Sequence, residues 1–290
     1  MATRAAPDTT WIQIEPRRRI VSRVLTILCA AAAFLGAGIL LVLLGYVVVN
    51  GIAYVNWEFL TTLPKPLGQP GGGMANAFVG SLIMVGLASI FGMTLGVGAG
   101  IYLAEYSSNR FGASVRFVAD VLAGMPSVVI GIFGYALVVV TLGKFSAIAG
   151  ALVLGIIMIP LVARTTEESL RLVPGDLREA AFALGIPRWR TILSVVLPTA
   201  AAGVVTGSLL AIARAAGETA PLIFTALGNR YWHEGLLGPI AAVPLMIFQY
   251  AISPYESWHQ QAWAASFFLL AFVLVLNVGA RLLASRLVRR

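Results

Sequence analysis

Charged residues are scarce in this sequence. Asp, Glu, Lys and Arg make up only 11% of its 290 residues, whereas soluble domains contain about a quarter. Hydrophobic residues make up 59% of the chain. This balance excludes an ordinary soluble domain and indicates an integral membrane protein.

Residues needed for several kinds of chemistry are also few. Cys29 is the only cysteine, which excludes an intrachain disulfide and a metal site built from paired thiols. His233 and His259 are too far apart in sequence to form a helical metal-binding pair. The only Gly-Lys pair is followed by Phe145, so no phosphate-binding loop for ATP hydrolysis is present. We therefore predict no metal site, no cofactor and no enzymatic activity.

Long apolar runs predict an all-α fold with six membrane-spanning helices. A polar tail, residues 1–23, precedes them, a polar loop at 165–198 separates the fourth and fifth, and a loop at 228–261 separates the fifth and sixth. The predicted spans cover residues 24–49, 75–103, 117–142, 147–163, 200–227 and 262–283.

The basic residues predict the orientation. The net charge is +8, but the arginines flank the apolar runs and form no dense basic arm, which fits membrane topology better than nucleic-acid binding. With the N-terminus inside, sixteen basic residues fall in cytoplasmic segments, and only Lys65, Lys144 and Arg230 fall outside. Both termini are therefore predicted to be cytoplasmic.

Residues 235–252 are apolar and long enough to form a seventh span. They contain Pro239 and Pro244, however, and a seventh crossing would place the C-terminal arginines outside. We therefore expect a re-entrant or interfacial segment on the outer side, with a seventh span as the alternative. The aromatic residues expected at the level of the membrane interface are Tyr231, Trp232, Trp258 and Trp263.

Glycines recur at a spacing typical of close helix packing. Gly92, Gly96 and Gly100 lie in the second predicted span, and Gly203 and Gly207 lie in the fifth. Because a glycine has no side chain, such a stripe allows two helices to approach closely.

The loop at 165–198 is the most polar internal segment. A helix is predicted from Pro174 to Leu184, where Gly185 and Pro187 end it. Apolar residues recur on one face of this helix, and a short amphipathic helix exposed to the cytosol needs a groove in a partner to bury that face. The alternative is a helix lying on lipid.

This loop resembles the EAA loop of bacterial ABC-importer permeases. The resemblance is carried by Glu179-Ala180-Ala181, then Gly185, then residues 195–198, "VVLP", in which Val195 replaces the usual isoleucine. Further segments are similar to the A-type permeases of phosphate-specific ABC importers: "AGIYLAEY" (99–106), "ARTTEESLRLVP" (163–174), "LREAAFALG" (177–185) and "AIARAAGETAPLIFTALGN" (211–229).

The resemblance implies a type I ABC-importer permease fold in the bacterial cytoplasmic (inner) membrane, with inorganic phosphate as substrate. It also implies four partners: a second, C-type permease subunit that forms a heterodimer with this one, two ATP-binding subunits, and an extracytoplasmic phosphate-binding protein. The residues that it implies in ATPase coupling are Glu179, Ala180, Ala181, Leu184 and Gly185.

The segment "ARAAGETAPL" (213–222) places charge in an apolar region. Arg214 and Glu218 are four residues apart, a spacing that puts both on one helix face. A charged residue at the centre of a membrane helix costs about 2.5–3.5 kcal/mol, which makes each a candidate for function. Pro221 would leave the carbonyl of Gly217 without its helical donor and loosen the backbone there.

Arg164 and Glu168 repeat the same spacing, one turn after Pro160. Two arginines with neighbouring hydroxyls suit a desolvated phosphate, and a carboxylate nearby can accept a proton from it. The resemblance implicates charged residues at matching positions in translocation. The predicted translocation residues are Arg164, Thr165, Thr166, Glu167, Glu168, Arg214, Glu218 and Thr219.

Alternatives remain open at this stage. Each Arg–Glu pair can be a self-neutralising ion pair, and Arg164 is predicted near the cytoplasmic edge, where an arginine needs no special role. The substrate can be another oxyanion, such as sulfate or molybdate. A secondary transporter driven by an ion gradient is the more distant alternative.

Overall fold

The computed structural model describes residues 16–66, 69, 71–107 and 109–288, so most of the predicted tail 1–23 lies outside the described residues. Contacts divide the chain into two units, and the described part of the first, which ends at Val49, is a single apolar helix. No β-strand occurs in the described ranges. The helices are α1 Pro16–Gly51, α2 Trp57–Thr61, α3 Ala75–Glu105, α4 Arg110–Gly124, α5 Ser127–Leu142, α6 Ala147–Arg171, α7 Gly175–Ala183, α8 Arg188–Ala216, α9 Ala220–Thr225, α10 Val243–Ala251 and α11 Glu256–Val288.

Within the described residues, five helices are long and apolar enough to cross a membrane: α1, α3, α6, α8 and α11. A sixth crossing is obtained if α4 and α5 form one broken span, with a bend of 103° between them. The predicted third span, 117–142, is thus not a single helix. The break follows from Pro126, which disfavours the helical conformation in the residue before it, and Met125 is extended with ψ of 136°.

The segment predicted as a re-entrant or interfacial element contains only a short helix, α10. Its nine residues span about 14 Å at 1.5 Å per residue, well below the ~30 Å of a bilayer core, so it is no seventh span. Trp258, expected at the membrane interface, is instead buried. Its ring stacks on Tyr250 with centroids 4.6 Å apart, and the Arg230 guanidinium lies 4.5 Å from its centroid.

The glycine stripe of α3 packs closely against another helix, as the spacing predicted, and that helix is α6. A Cβ added at Gly92 would lie 3.0 Å from the carbonyl oxygen of Gly155, and one at Gly100 would lie 2.5 Å from Cβ of Thr166. Gly96, between them, faces Val162. Because residue numbers rise together along both helices, α3 and α6 run parallel and in direct contact.

The second glycine pair brings α8 against a neighbouring face of α6. Gly203 faces Ser169 and Gly207 faces Thr165, so the two helices run antiparallel. A Cβ at Gly207 would lie 2.2 Å from the hydroxyl oxygen of Thr165. Helix α6 thus packs against both α3 and α8, and this packing explains why it is the most buried of the five long helices.

Replacement of Gly100 by alanine is expected to destabilise the protein. The new methyl group would overlap Thr166 and the carbonyl oxygen of Ala163, 2.7 Å away, and such overpacking costs about 1–3 kcal/mol. The measurement is the thermal unfolding midpoint in mild detergent. Gly98→Ala is the matched control, because a Cβ at Gly98 meets no atom within 4 Å. Equal midpoints for the two variants would contradict the packing role.

Candidate functional site

Arg164 and Arg214, both predicted to act in translocation, line a common cleft. The cleft is about 100 Å³ in volume and lies between the α4–α5 bend, α6 and the end of α8. Met125 and Ser127 line it from the bend, and Pro160 lines it from α6. We call this the arginine cleft; its other lining residues are Leu122, Ala123, Ile130, Ile157 and Leu161.

Arg214 projects from the last turn of α8. This helix ends at Ala216, and the chain turns back at once, with the N–H of Gly217 donating to the Arg214 carbonyl at 3.1 Å. Pro221 sits in the first turn of α9, where its missing N–H costs nothing. The sequence predicted loosened backbone at this point; the structure has a complete break between two helices.

Glu218 therefore does not share a helix face with Arg214, as the spacing had suggested. It lies in the turn beyond α8, and its Oε1 is 3.6 Å from Nε of Arg214. The Arg214 side chain is 54% exposed and that of Glu218 is 16% exposed. This long contact leaves most of the guanidinium donors of Arg214 available to a ligand.

Arg164 pairs with carboxylates other than the predicted one. Its Nε donates to Oδ1 of Asp120 on α4 at 3.0 Å, Nη2 contacts the same oxygen, and Nη1 lies 3.5 Å from Oε2 of Glu167. Glu168, the predicted partner, is exposed. Consecutive helical residues differ by about 100° in direction, so Glu167 and Glu168 cannot both point at the same neighbours.

Glu167 is a buried carboxylate that forms ion pairs with three arginines. Its side chain is 3% exposed, and Oε1 lies 2.7 Å from Nη2 of Arg116 on α4 and 2.7 Å from Nη2 of Arg171 on α6. Arg116 also donates to the hydroxyl of Ser107 at 3.0 Å. Together with Arg164, these contacts make Glu167 the centre of a charge network that joins α4 to α6.

The predicted threonines do not line the arginine cleft. Thr165 faces α8, and its hydroxyl donates to the carbonyl of Leu161 at 3.0 Å. Thr166 is buried against α3, and no partner for its hydroxyl lies among the described residues. Thr219 precedes α9 as its N-cap residue. These three positions were selected from sequence adjacency to the charges, whereas helical geometry turns Thr165 and Thr166 toward neighbouring helices.

Three polar residues of the site escaped the sequence analysis: Arg116, Asp120 and Ser127. Asp120 lies inside the predicted span 117–142, so the rule that selected Arg214, a charge within an apolar run, would have found it. Arg116 was counted only as a positive residue of a loop. Ser127 carries no signal in the sequence, because its place at the cleft depends on the bend after Gly124.

Helix α7 forms where the EAA-like segment predicted a helix. Glu179 and Ala180 are exposed, and Leu184 is 80% exposed, whereas Ala181 is 5% exposed and packs inward. Ala181 therefore holds the helix in place and cannot itself contact a partner. Gly185 ends the helix with φ of +74°, a left-handed conformation that glycine adopts without strain.

The sequence is similar to permease proteins of phosphate transport systems. A sequence profile for a family described as "Binding-protein-dependent transport system inner membrane component" matches residues 96–290. The "Phosphate transport system permease protein PstA" of Xylella fastidiosa (strain 9a5c) is 48% identical over 282 residues, which cover 96% of this chain and 98% of that protein. The protein of the same description from Yersinia pestis is 43% identical over 270 residues, covering 93% and 92%.

Solved structures show the same fold at low identity. A chain of the inward-facing MetNI methionine ABC transporter superposes with a TM-score of 0.61 at 17% identity, covering 74% of this chain and 95% of that one. A chain of a bacterial ABC transporter involved in the import of the acidic polysaccharide alginate superposes with a TM-score of 0.59 at 14% identity, covering 92% and 99%. The architecture is therefore that of ABC-transporter permease chains.

Proposed function

This chain belongs to the family of binding-protein-dependent transport system inner membrane components, and we propose that it is the permease subunit of an ATP-driven importer of inorganic phosphate. The observation that carries the proposal is the arginine cleft, in which Arg164 and Arg214 converge, in a chain 48% identical to a phosphate permease along almost its whole length. Relatives named for phosphate transport favour this substrate over sulfate or molybdate.

The chemistry of the cleft suits a small tetrahedral oxyanion. Each guanidinium presents a planar fork of N–H donors that matches two phosphate oxygens. A volume of about 100 Å³ is enough for a small ion. In the resting chain the carboxylates of Asp120 and Glu218 neutralise the two arginines. Exchange between carboxylate and phosphate keeps binding weak enough for release.

Half of the pathway is supplied by this chain. More than half of the Arg214 side chain is exposed at the edge of the cleft, which leaves room for a second permease subunit to close it. Helix α7 presents Glu179 and Leu184 on its outer side for an ATPase subunit. The partners proposed are therefore a C-type permease in a heterodimer, two ATP-binding subunits and an extracytoplasmic phosphate-binding protein, with both termini of this chain in the cytoplasm.

Uptake by the complete transporter in lipid vesicles tests the function. We expect radiolabelled phosphate to enter only when the binding protein is outside and ATP is inside, and arsenate to compete while sulfate does not. Uptake driven by an ion gradient without ATP would refute the ATP-driven mechanism. Competition by sulfate and not by arsenate would refute the substrate.

Replacement of Glu179 by lysine is expected to detach or uncouple the ATPase. The side chain is exposed on α7, so the change reverses a charge at the docking surface without altering the interior of the protein. Like charges brought together across an interface cost several kcal/mol of binding free energy. The measurements are co-purification of the ATPase and phosphate uptake. Asp176→Lys, in the first turn of the same helix and also exposed, is the control for a general charge effect. Unchanged co-purification together with unchanged uptake would count against docking at Glu179.

A further inference from the structure

Two arginines beyond α6 contact the same end of α3. Arg178, in α7, donates to Oε1 of Glu105 from Nη2 at 2.7 Å and from Nε at 3.2 Å. Arg188, at the start of α8, donates to the carbonyl of Glu105, and its guanidinium lies 4.6 Å from the ring centre of Tyr106. The segment that contains α7 is thus attached to α3 on both sides.

Arg178 also caps α6. Its Nη1 donates to the carbonyl of Val173 at 2.7 Å, and its Nη2 donates to the carbonyl of Leu170 at 2.9 Å. Val173 lies two residues beyond the end of α6, and the carbonyl of Leu170 also accepts the N–H of Val173 at 3.3 Å. The helix dipole favours a cation at this end of the helix. One guanidinium therefore joins three helices, α3, α6 and α7.

This contact is buried and directional, unlike a loose surface pair. The side chain of Glu105 is 7% exposed and that of Arg178 is 21% exposed. All the bonds described use the planar fork of the guanidinium, which a lysine cannot reproduce. Loss of Arg178 would remove these donors from the carboxylate of Glu105 and from the carbonyls of Leu170 and Val173.

A short path leads from Arg178 to the arginine cleft. Leu170 lies six residues beyond Arg164 on α6, about 9 Å at 1.5 Å per residue. Helices α3 and α6 are in contact along the glycine stripe, and closely packed interiors transmit displacement rather than absorb it.

We propose that Arg178 is a positioning residue that passes movement of α7 to α6, and thereby to Arg164. The proposal rests on the proposed function, because it takes α7 as the element on which the ATPase acts. It separates two roles within α7. Glu179 faces outward toward the ATPase subunit. Arg178 faces inward and transmits the movement of α7 to α6.

The test measures ATP hydrolysis and phosphate uptake in the same vesicles. For Arg178→Ala in the complete transporter, we expect hydrolysis stimulated by the binding protein to persist while phosphate transported per ATP falls by about two- to thirtyfold, the range measured for residues that couple distant sites. Arg178→Lys keeps the charge and most of the volume, so it should assemble normally and show an intermediate ratio. Arg110→Ala is the control, because Arg110 is exposed and makes no ion pair within the described ranges.

The outcomes separate this inference from the function on which it rests. Wild-type vesicles that take up no phosphate would refute the proposed function. If the wild type transports phosphate, a parallel fall of hydrolysis and uptake in Arg178→Ala would overturn the transmission role and leave only a structural one. If Arg178→Ala fails to assemble, the test is made with Arg178→Lys. A wild-type ratio of phosphate transported per ATP in Arg178→Lys would overturn the inference.

Discussion

Phosphate uptake is expected to fall to the background of empty vesicles when Arg214 is replaced by alanine in the complete transporter. Assembly should be unaffected. The Arg214 side chain is 54% exposed and its only described ion pair is the 3.6 Å contact with Glu218. A pair of that kind contributes about 1 kcal/mol or less to stability. Uptake suffers because a partly desolvated phosphate loses half of its cationic donors in the arginine cleft. The measurements are radiolabelled phosphate uptake and the amount of complex purified.

Two further variants separate charge from geometry at Arg214. Arg214→Lys keeps the positive charge and loses the fork, so it should retain a small part of the uptake. Glu218→Gln removes the resting counter-ion without removing a donor, and we expect it to assemble normally. Normal uptake by Arg214→Ala would show that the ion crosses elsewhere, and loss of the complex would show that Arg214 is structural.

Local patterns in the sequence predicted most of the helices. Apolar runs located α1, α3, α6, α8 and α11, because a bilayer imposes length and composition on any helix that crosses it. The motif-like segment after α6 predicted α7 to within one residue at each end. The glycine spacing in α3 also predicted close approach by another helix, although not that this helix is α6.

The same sequence patterns could not predict which side chains on different helices contact each other. Spacing within one helix suggested Glu168 for Arg164, but the carboxylate that approaches it belongs to Asp120 on another helix. Which helices lie side by side is decided by the whole bundle, and the 103° bend between α4 and α5 brings Asp120 and Ser127 to the cleft region. The prediction that Thr165 and Thr166 contribute hydroxyls to the site was wrong for the same reason. Thr165 packs against α8 and Thr166 packs against α3, so neither lines the cleft.

Replacement of Glu167 by glutamine should lower stability far more than the same change at the adjacent Glu168. Glu167 is 3% exposed and forms ion pairs with Arg116, Arg164 and Arg171, whereas Glu168 is exposed. Removal of one partner from a buried ion pair costs about 3–5 kcal/mol, and the partial exposure of the three arginines places the expected loss near the lower value. Surface substitutions usually change stability by about 0.5 kcal/mol or less.

The difference should appear in thermal unfolding of the purified complex. A loss of about 3 kcal/mol corresponds to a midpoint lower by roughly 5 °C for a domain of this size, so Glu167→Gln should unfold below the wild type and Glu168→Gln close to it. Arg116→Lys should show an intermediate midpoint, because an ammonium keeps the charge next to Glu167 but cannot donate from two nitrogens to the same carboxylate oxygen. Equal midpoints for the two glutamine variants would mean that Glu167 is not the centre that joins α4 to α6. In that case the place of Arg164 in the cleft would depend on Asp120 alone.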